Sequence, residues 1–508
     1  MHRKVRGALV AALLMGSPLA TASAQLGTDS VALAIKADAG GKLKPVYVSR
    51  GFWPIWVKDG AVTPAADRLI SYLETADLDG LDPRDYRPRE LKAAVEAAGG
   101  GGPDALAKAE LALSQALARY IRDVRRAPTA QIRYLDEELV PKKLTETEAL
   151  RGAALSTDVG TYVTTMGWMD PAYSGLRKAL AERRAKWDTL PQVTIPAGPM
   201  LKTGAKGTRV RLLRSRLGLQ PGDRFDAPLA SALRDFQAAH GLKADGAGGA
   251  TTIAALNRSP GWYDRKLTVN LDRARLLPGP NVRHITVNVA AQQLVYYDDG
   301  MEAGRMKVVA GKPTEQTPML AGMVRYAILN PYWNVPPDLV QKKAATGILT
   351  GGTMQKLGFE ALTDWSAQAQ PLDAGAIDWH AVAAGAQEIR VRQLPGPTNA
   401  MGKVKFMFPN DLGIYLHDTP ERELFAKPVR YFSSGCVRME DAQRLGAWLF
   451  GKPLDTATEH PEQNVALARP VPVYLTYLTA VASDGQVQFL DDAYGRDGVD
   501  TTRVASRD

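Results

Sequence analysis

One cysteine, Cys436, occurs in the 508 residues, so the chain can close no internal disulfide and offers no cysteine pair to a zinc ion. Histidine is scarce too: the six are scattered, and none shows the His-Glu-x-x-His spacing that puts two imidazoles of a helix on one metal. Aromatic residues make up 7%, and no basic run is interleaved with them, which removes the usual footprint of nucleic-acid recognition. Beyond the N-terminus no apolar run approaches the roughly 20 residues that span a bilayer. No cofactor, no metal, no nucleic-acid partner and no transmembrane segment in the mature chain are expected.

What is present describes an exported, multidomain globular protein. Apolar residues at 45% and charged residues at 23% supply ample core, and a prior of roughly 150 residues per domain suggests about three folded units. The net charge of +9 suits an anionic polymer surface. Arg3, Lys4 and Arg6, the apolar stretch Ala8–Met15 and the small residues Ala22-Ser23-Ala24 read as a secretory signal cleaved near Ala24, with the periplasm as destination.

Periodicity divides the remainder. Residues 25–198 are mostly helical, with Leu106, Leu113, Leu117, Tyr120, Ile121 and Val124 spaced to form one apolar stripe, and they read as an α-rich scaffold. Gly51–Trp56 carries three aromatics, expected to pack as core beneath a turn. After Pro191, Pro196 and Pro199, residues 199–258 form a compact module of three short helices. His240 within it has no partner at metal-ligand spacing, so a capping or turn role is expected. From residue 282 the period changes to two, as in Ile285, Val287 and Val289, and a mainly-β domain is expected over 282–482. The alternation lapses over about 337–388, an insertion that either covers a site or forms a passive subdomain. Residues 483–508 are left as a tail.

The chemistry concentrates near residue 430. His417 follows Ile414-Tyr415-Leu416, and Ser433-Ser434-Gly435-Cys436-Val437-Arg438 precedes a helical stretch whose apolar face is Ala442, Leu445 and Leu449. A free thiol is mostly protonated at neutral pH, so a nucleophilic Cys436 needs a base, which His417 supplies, and exposed helix-terminal amides would favour the thiolate. Gly435 lets backbone amides approach an oxyanion, with the amides of Gly435 and Cys436 as donors. Arg438 either neutralises a substrate carboxylate or pins the loop. A lone cysteine in an oxidising compartment, set in this loop, points to reactivity rather than to an inert buried thiol.

These motifs together resemble the L,D-transpeptidases, in the large branch that carries a scaffold and a peptidoglycan-binding domain. Arg392-Gln393-Leu394-Pro395-Gly396-Pro397 through Asn399, Gly402 and Lys405 to Asn410, Trp333-Asn334-Val335-Pro336, and Tyr494-Gly495-Arg496-Asp497 extend the likeness over nearly all of the mature chain, and the 199–258 module resembles the peptidoglycan-binding domain of wall enzymes. Many members have His directly before Gly-Cys where this chain has Ser434, as the large branch does. The resemblance implies Cys436 as nucleophile, His417 as general base, the Asp418 backbone carbonyl orienting the imidazole, and Gly435 in the oxyanion hole. Ser433, Ser434, Arg438, Tyr415, Trp333 and Asn334 are assigned to substrate contact. It also implies 3→3 cross-linking of peptidoglycan stem peptides through an acyl-thioester, with release of D-alanine and acylation of Cys436 by carbapenems. Cell-wall synthases and carboxypeptidases are the expected partner enzymes. A hydrolytic carboxypeptidase or amidase using the same dyad, and a non-catalytic wall-binding scaffold, stay open as alternatives.

Overall fold

The computed structural model describes residues 29–498 apart from 126–129, 131, 280, 367, 459 and 484; the expected signal segment 1–24 lies outside the described residues. The chain divides into two compact units, one formed by residues up to Arg126 together with Lys142–Trp168, the other by Ala127–Pro141 together with Met169 onward. The helix Pro171–Glu182 therefore belongs to the second unit, ahead of the expected boundary at 198.

The first unit is helical. Its longest helix, Pro103–Val124, starts with proline in the first turn, where no amide donor is needed, and buries the expected stripe. Glu110 lies fully buried on that stripe and accepts from the amides of Ile55 (2.7 Å) and Trp56 (2.8 Å) and from the Tyr47 hydroxyl (2.7 Å). These bonds satisfy the backbone of the Gly51–Trp56 turn, and Trp56 is core as expected. Trp53 is not: it is 42% exposed, because Phe52 adopts a left-handed φ of 66° and turns the chain over.

The second unit contains the helical module, Thr208–Arg216, Ala227–Ala239 and Ala250–Leu256, around Val210, Leu213, Leu233 and Phe236. His240 caps the middle helix; its Nδ1 donates to the Phe236 carbonyl at 2.7 Å, its ring stacks on Phe236 at 3.9 Å, and Arg183 donates to Nε2 at 2.8 Å. Burial lowers its pKa to about 3, so it is a neutral structural histidine.

The mixed sheet that follows closes on itself. In chain order its strands are β1 (His284–Asn288), β2 (Gln293–Asp298), β3 (Met301–Gly311), β4 (Leu320–Leu329), β5 (Val404–Met407), β6 (Leu416–His417), β7 (Tyr431–Ser433), β8 (Val437–Met439) and β9 (Gln463–Thr476). Among the described residues the pairing runs β5-β6-β8-β3-β2-β1-β9-β4 and returns to β5, with β7 beside β3 and the short strand Arg133–Tyr134 beside β4. Closure removes exposed edges and packs Leu294, Val308, Phe406, Leu416, Val437 and Val473 into one core. The helix Ala442–Phe450 adds Ala442, Leu445 and Leu449 to it, the face expected from spacing.

Between β4 and β5 the chain builds a small subdomain. Trp333–Val335, Arg390–Gln393 and Phe359–Leu362 form an antiparallel sheet under short helices, with a core of its own that includes Trp333, Val340, Met354, Trp379 and Val391. Asn399, in the expected motif, closes its return loop by donating to the carbonyls of Pro331 (3.1 Å) and Leu394 (2.9 Å).

Residues 483–508, expected as a tail, are built into the domain as far as Asp497. The hairpin Ala480–Ser483/Gln486–Phe489 leads to Asp497, which is buried between Lys266 (2.7 Å) and Arg273 (2.6 Å) of the helix Pro260–Ala274 and accepts from Thr479 at 2.7 Å. Burial raises the Asp497 pKa, but these partners together outweigh it and hold the carboxyl below its ordinary range. Its contribution is therefore complete above the ordinary Asp pKa and is lost as pH falls through the lowered value. Replacing Asp497 by Ala leaves two buried cations unpaired, and urea denaturation at pH 7 is expected to show a loss of about 3–5 kcal/mol.

Candidate active site

The site is assembled by strand register. β6 and β8 pair in parallel, Leu416 with Val437 and His417 with Arg438, and the Val437 amide donates to the Tyr415 carbonyl at 3.1 Å. With period two, Leu416 and Val437 point into the core and are fully buried, which puts Tyr415, His417, Cys436 and Arg438 together on the opposite face. His417 and Cys436 thus stand diagonally across two adjacent strands.

His417 is 1% exposed. Its Nδ1–H donates to the Asp418 backbone carbonyl at 2.6 Å, which leaves Nε2 as the lone-pair nitrogen. Burial, reinforced by the charges of Arg438 and Lys405, lowers its pKa to about 3 against the pull of that bond. The Asp418 carboxylate is occupied elsewhere: it accepts from the Lys403 amide at 2.9 Å and pairs with Arg422. Gly402 has a left-handed φ of 60°, and a Cβ there would lie 2.4 Å from the Asp418 carboxylate, so only glycine permits the approach.

Cys436 is half-buried, and its thiol donates to the Gly413 carbonyl at 3.3 Å. Burial raises its pKa to about 11, outweighing hydrogen bonds from the amide and hydroxyl of Tyr415 and the field of Arg438. The expected helix-favoured thiolate does not fit this arrangement: β8 separates Cys436 from the next helix, where the Asp441 carboxylate caps the Arg444 amide at 2.9 Å. The resting pair is a neutral thiol and a neutral imidazole.

The other expected site residues are placed as follows. Ser433 is buried and donates to the Cys436 carbonyl at 2.6 Å while accepting from the Gly435 amide at 3.3 Å. It braces the loop instead of facing a ligand, and the Gly435 amide, expected in an oxyanion hole, is turned inward toward it. Gly435 itself has a φ of 114°. Arg438 pairs with Glu421, the pinning alternative. Ser434 is exposed, and its hydroxyl, with Lys312, keeps the Glu315 carboxyl below its ordinary range. Tyr415 packs against both the ring core and the subdomain core and stands edge-on to His417 at 5.9 Å. Trp333 is buried in the subdomain core, not open to a substrate, whereas Asn334, pointing the other way on the same strand, is exposed. Sequence reasoning missed Thr317, whose hydroxyl donates to the Gly435 carbonyl at 2.8 Å; nothing in local periodicity marks it. Among the described residues no group of three or more His, Cys, Asp or Glu could hold a metal ion, and no helix is long and apolar enough to cross a membrane.

Residues 282–458 match the family model of the L,D-transpeptidase catalytic domain. Residues 41–180 match a scaffold domain and residues 211–256 a "Putative peptidoglycan binding domain". A curated Haemophilus influenzae protein named "Putative L,D-transpeptidase" is 33% identical over 249 residues, 46% of this chain and 48% of that protein, so the match spans about half the length of this relative. Among solved structures, an L,D-transpeptidase from Xylanimonas cellulosilytica is 16% identical with a TM-score of 0.18, covering 55% of this chain and 98% of that one. An L,D-transpeptidase from Mycobacterium smegmatis is 13% identical with a TM-score of 0.19, covering 39% and 59%. Scores this low carry no structural argument.

The protonation states of the His417–Cys436 pair set its pH response. With the thiol near 11 and the imidazole near 3, the rate of Cys436 alkylation by iodoacetamide is expected to climb through pH 9–10 without levelling, and to show no inflection near 6.5. A plateau above pH 8 would contradict the neutral resting pair.

Proposed function

We propose that this protein is an L,D-transpeptidase that forms 3→3 cross-links between peptidoglycan stems through a Cys436 thioester. The observation that carries the reading is the shared face of His417 and Cys436, with His417 Nδ1 committed to the Asp418 carbonyl so that Nε2 is free to take a proton. The reading requires that rotation of the Cys436 side chain away from Gly413 bring the thiol to Nε2. Sγ attacks the carbonyl of the third stem residue, diaminopimelate, as the thiol proton passes to His417, and the oxyanion receives the Cys436 amide. Collapse expels D-alanine, its amine taking the proton from the imidazolium. The amine of a second stem's diaminopimelate then attacks the thioester, His417 takes its proton, and the thiol is restored. Thioester chemistry conserves the energy of the broken amide, so no nucleotide is consumed.

The remaining parts fit this reading. The helical module holds the enzyme on its polymer, and the N-terminal segment directs it to the periplasm. The subdomain between β4 and β5 covers the donor stem: Tyr415 is shared between its core and that of the ring, and the charge of its Lys342 is felt at Glu315, which Ser434 contacts.

Purified protein incubated with tetrapeptide muropeptides is expected to give the cross-linked dimer and one D-alanine per bond by mass spectrometry. Cys436→Ala abolishes the product, and His417→Gln lowers the rate by about 10²–10⁴-fold. Tripeptide without dimer, at any acceptor concentration, would assign the site to a hydrolytic carboxypeptidase instead, and full cross-linking by both variants would leave a wall-binding scaffold.

A further inference from the structure

The last described segment of the chain, which the proposed chemistry does not use, reaches the nucleophile loop through a buried hydrogen-bond relay. The Thr317 hydroxyl donates to the Gly435 carbonyl at 2.8 Å and accepts from the Gly311 amide at 2.9 Å. The Tyr494 hydroxyl donates to the Gly311 carbonyl at 2.5 Å and accepts from the Thr317 amide at 3.3 Å. Arg496 donates to Gln316 Oε1 at 3.0 and 2.7 Å and to the Thr317 carbonyl at 3.1 Å, and Gln316 returns a bond to the Tyr494 carbonyl at 3.2 Å. The relay is anchored at its far end, where the Tyr494 ring stacks on Tyr477 at 5.0 Å and Asp497 is locked to Lys266 and Arg273.

Peptide geometry gives this relay a catalytic consequence. The Gly435 carbonyl and the Cys436 amide belong to one planar trans peptide, so they point in opposite directions. Whatever holds the carbonyl aims the amide. At Gly435, with its φ of 114°, no side chain resists a flip of that peptide. We infer that Thr317, held by Tyr494 and Arg496, is a positioning residue that aims the Cys436 amide at the oxyanion, and that the C-terminal segment is thereby part of the active-site machinery. The inference rests on the proposed reading of Cys436 as an acyl-accepting nucleophile.

Two reactions at the same sulfur separate aim from general disorder. Acylation of Cys436 by p-nitrophenyl acetate passes through an oxyanion, whereas alkylation by iodoacetamide does not. Thr317→Val is expected to slow acylation by about 10–100-fold, at or below the about 10²–10³-fold cost of deleting one oxyanion donor, with alkylation within about twofold of wild type. Thr317→Ser restores acylation, and Tyr494→Phe gives an intermediate loss, with all four proteins compared at matched folded fraction by near-UV circular dichroism. Acylation of Thr317→Val within about twofold of wild type, or a parallel fall in alkylation, overturns the inference. An acylation defect in Thr317→Val alongside a wild-type enzyme that makes no dimer from muropeptides would sink the cross-linking reading and leave this one standing.

Discussion

Parallel pairing of β6 with β8 is the constraint on which the site depends. Two strands of two and three residues, held in one register, bring His417 and Cys436 to the same face. A slip of one residue would send either of them into the hydrocarbon core and bring Leu416 or Val437 out. Burial of those two side chains is therefore what specifies the dyad. The closed ring makes the register costly to change, because β5 continues the ladder beyond β6 and β3 beyond β8.

Low solvent access around the dyad decides its resting chemistry. Burial disfavours thiolate and imidazolium alike, and the positive charge of Arg438 pushes in the same direction as burial on His417 and in the opposite direction on Cys436. The commitment of Nδ1 to a backbone carbonyl sets the tautomer without a third ionised side chain, and the Asp418 carboxylate is released to tie down the Gly402–Lys403 turn.

Support for the nucleophile loop comes from distant parts of the second unit. Ser433 braces it locally, Thr317 from the turn after β3, and Tyr494 and Arg496 from the end of the described chain. Tyr415 joins the same neighbourhood to the inserted subdomain. Small displacements of any of these elements would be transmitted to a loop that contains glycine at its most permissive point.

Much of this was legible in the residues alone. The stripe of Pro103–Val124, the three helices of the module, the change to period two after residue 282 and the isolation of Cys436 are local signals, dictated by spacing within one turn or one strand. The candidate nucleophile and base followed because a lone cysteine in a Ser-Ser-Gly loop and a histidine after an alternating apolar run are rare combinations. Other features belong to contacts across long sequence separations. Trp333 and Ser433 read as substrate contacts until the strand of the first is paired and the hydroxyl of the second meets the Cys436 carbonyl, and residues 483–508 read as a tail until Asp497 finds Lys266 and Arg273. Composition and periodicity determined which segments became helix or strand and which side chains can do chemistry. Only the closed sheet decided which of them share a face, how far burial moves their protons, and which backbone amide turns inward to Ser433, because those are properties of groups brought together by folding and not of neighbours along the chain.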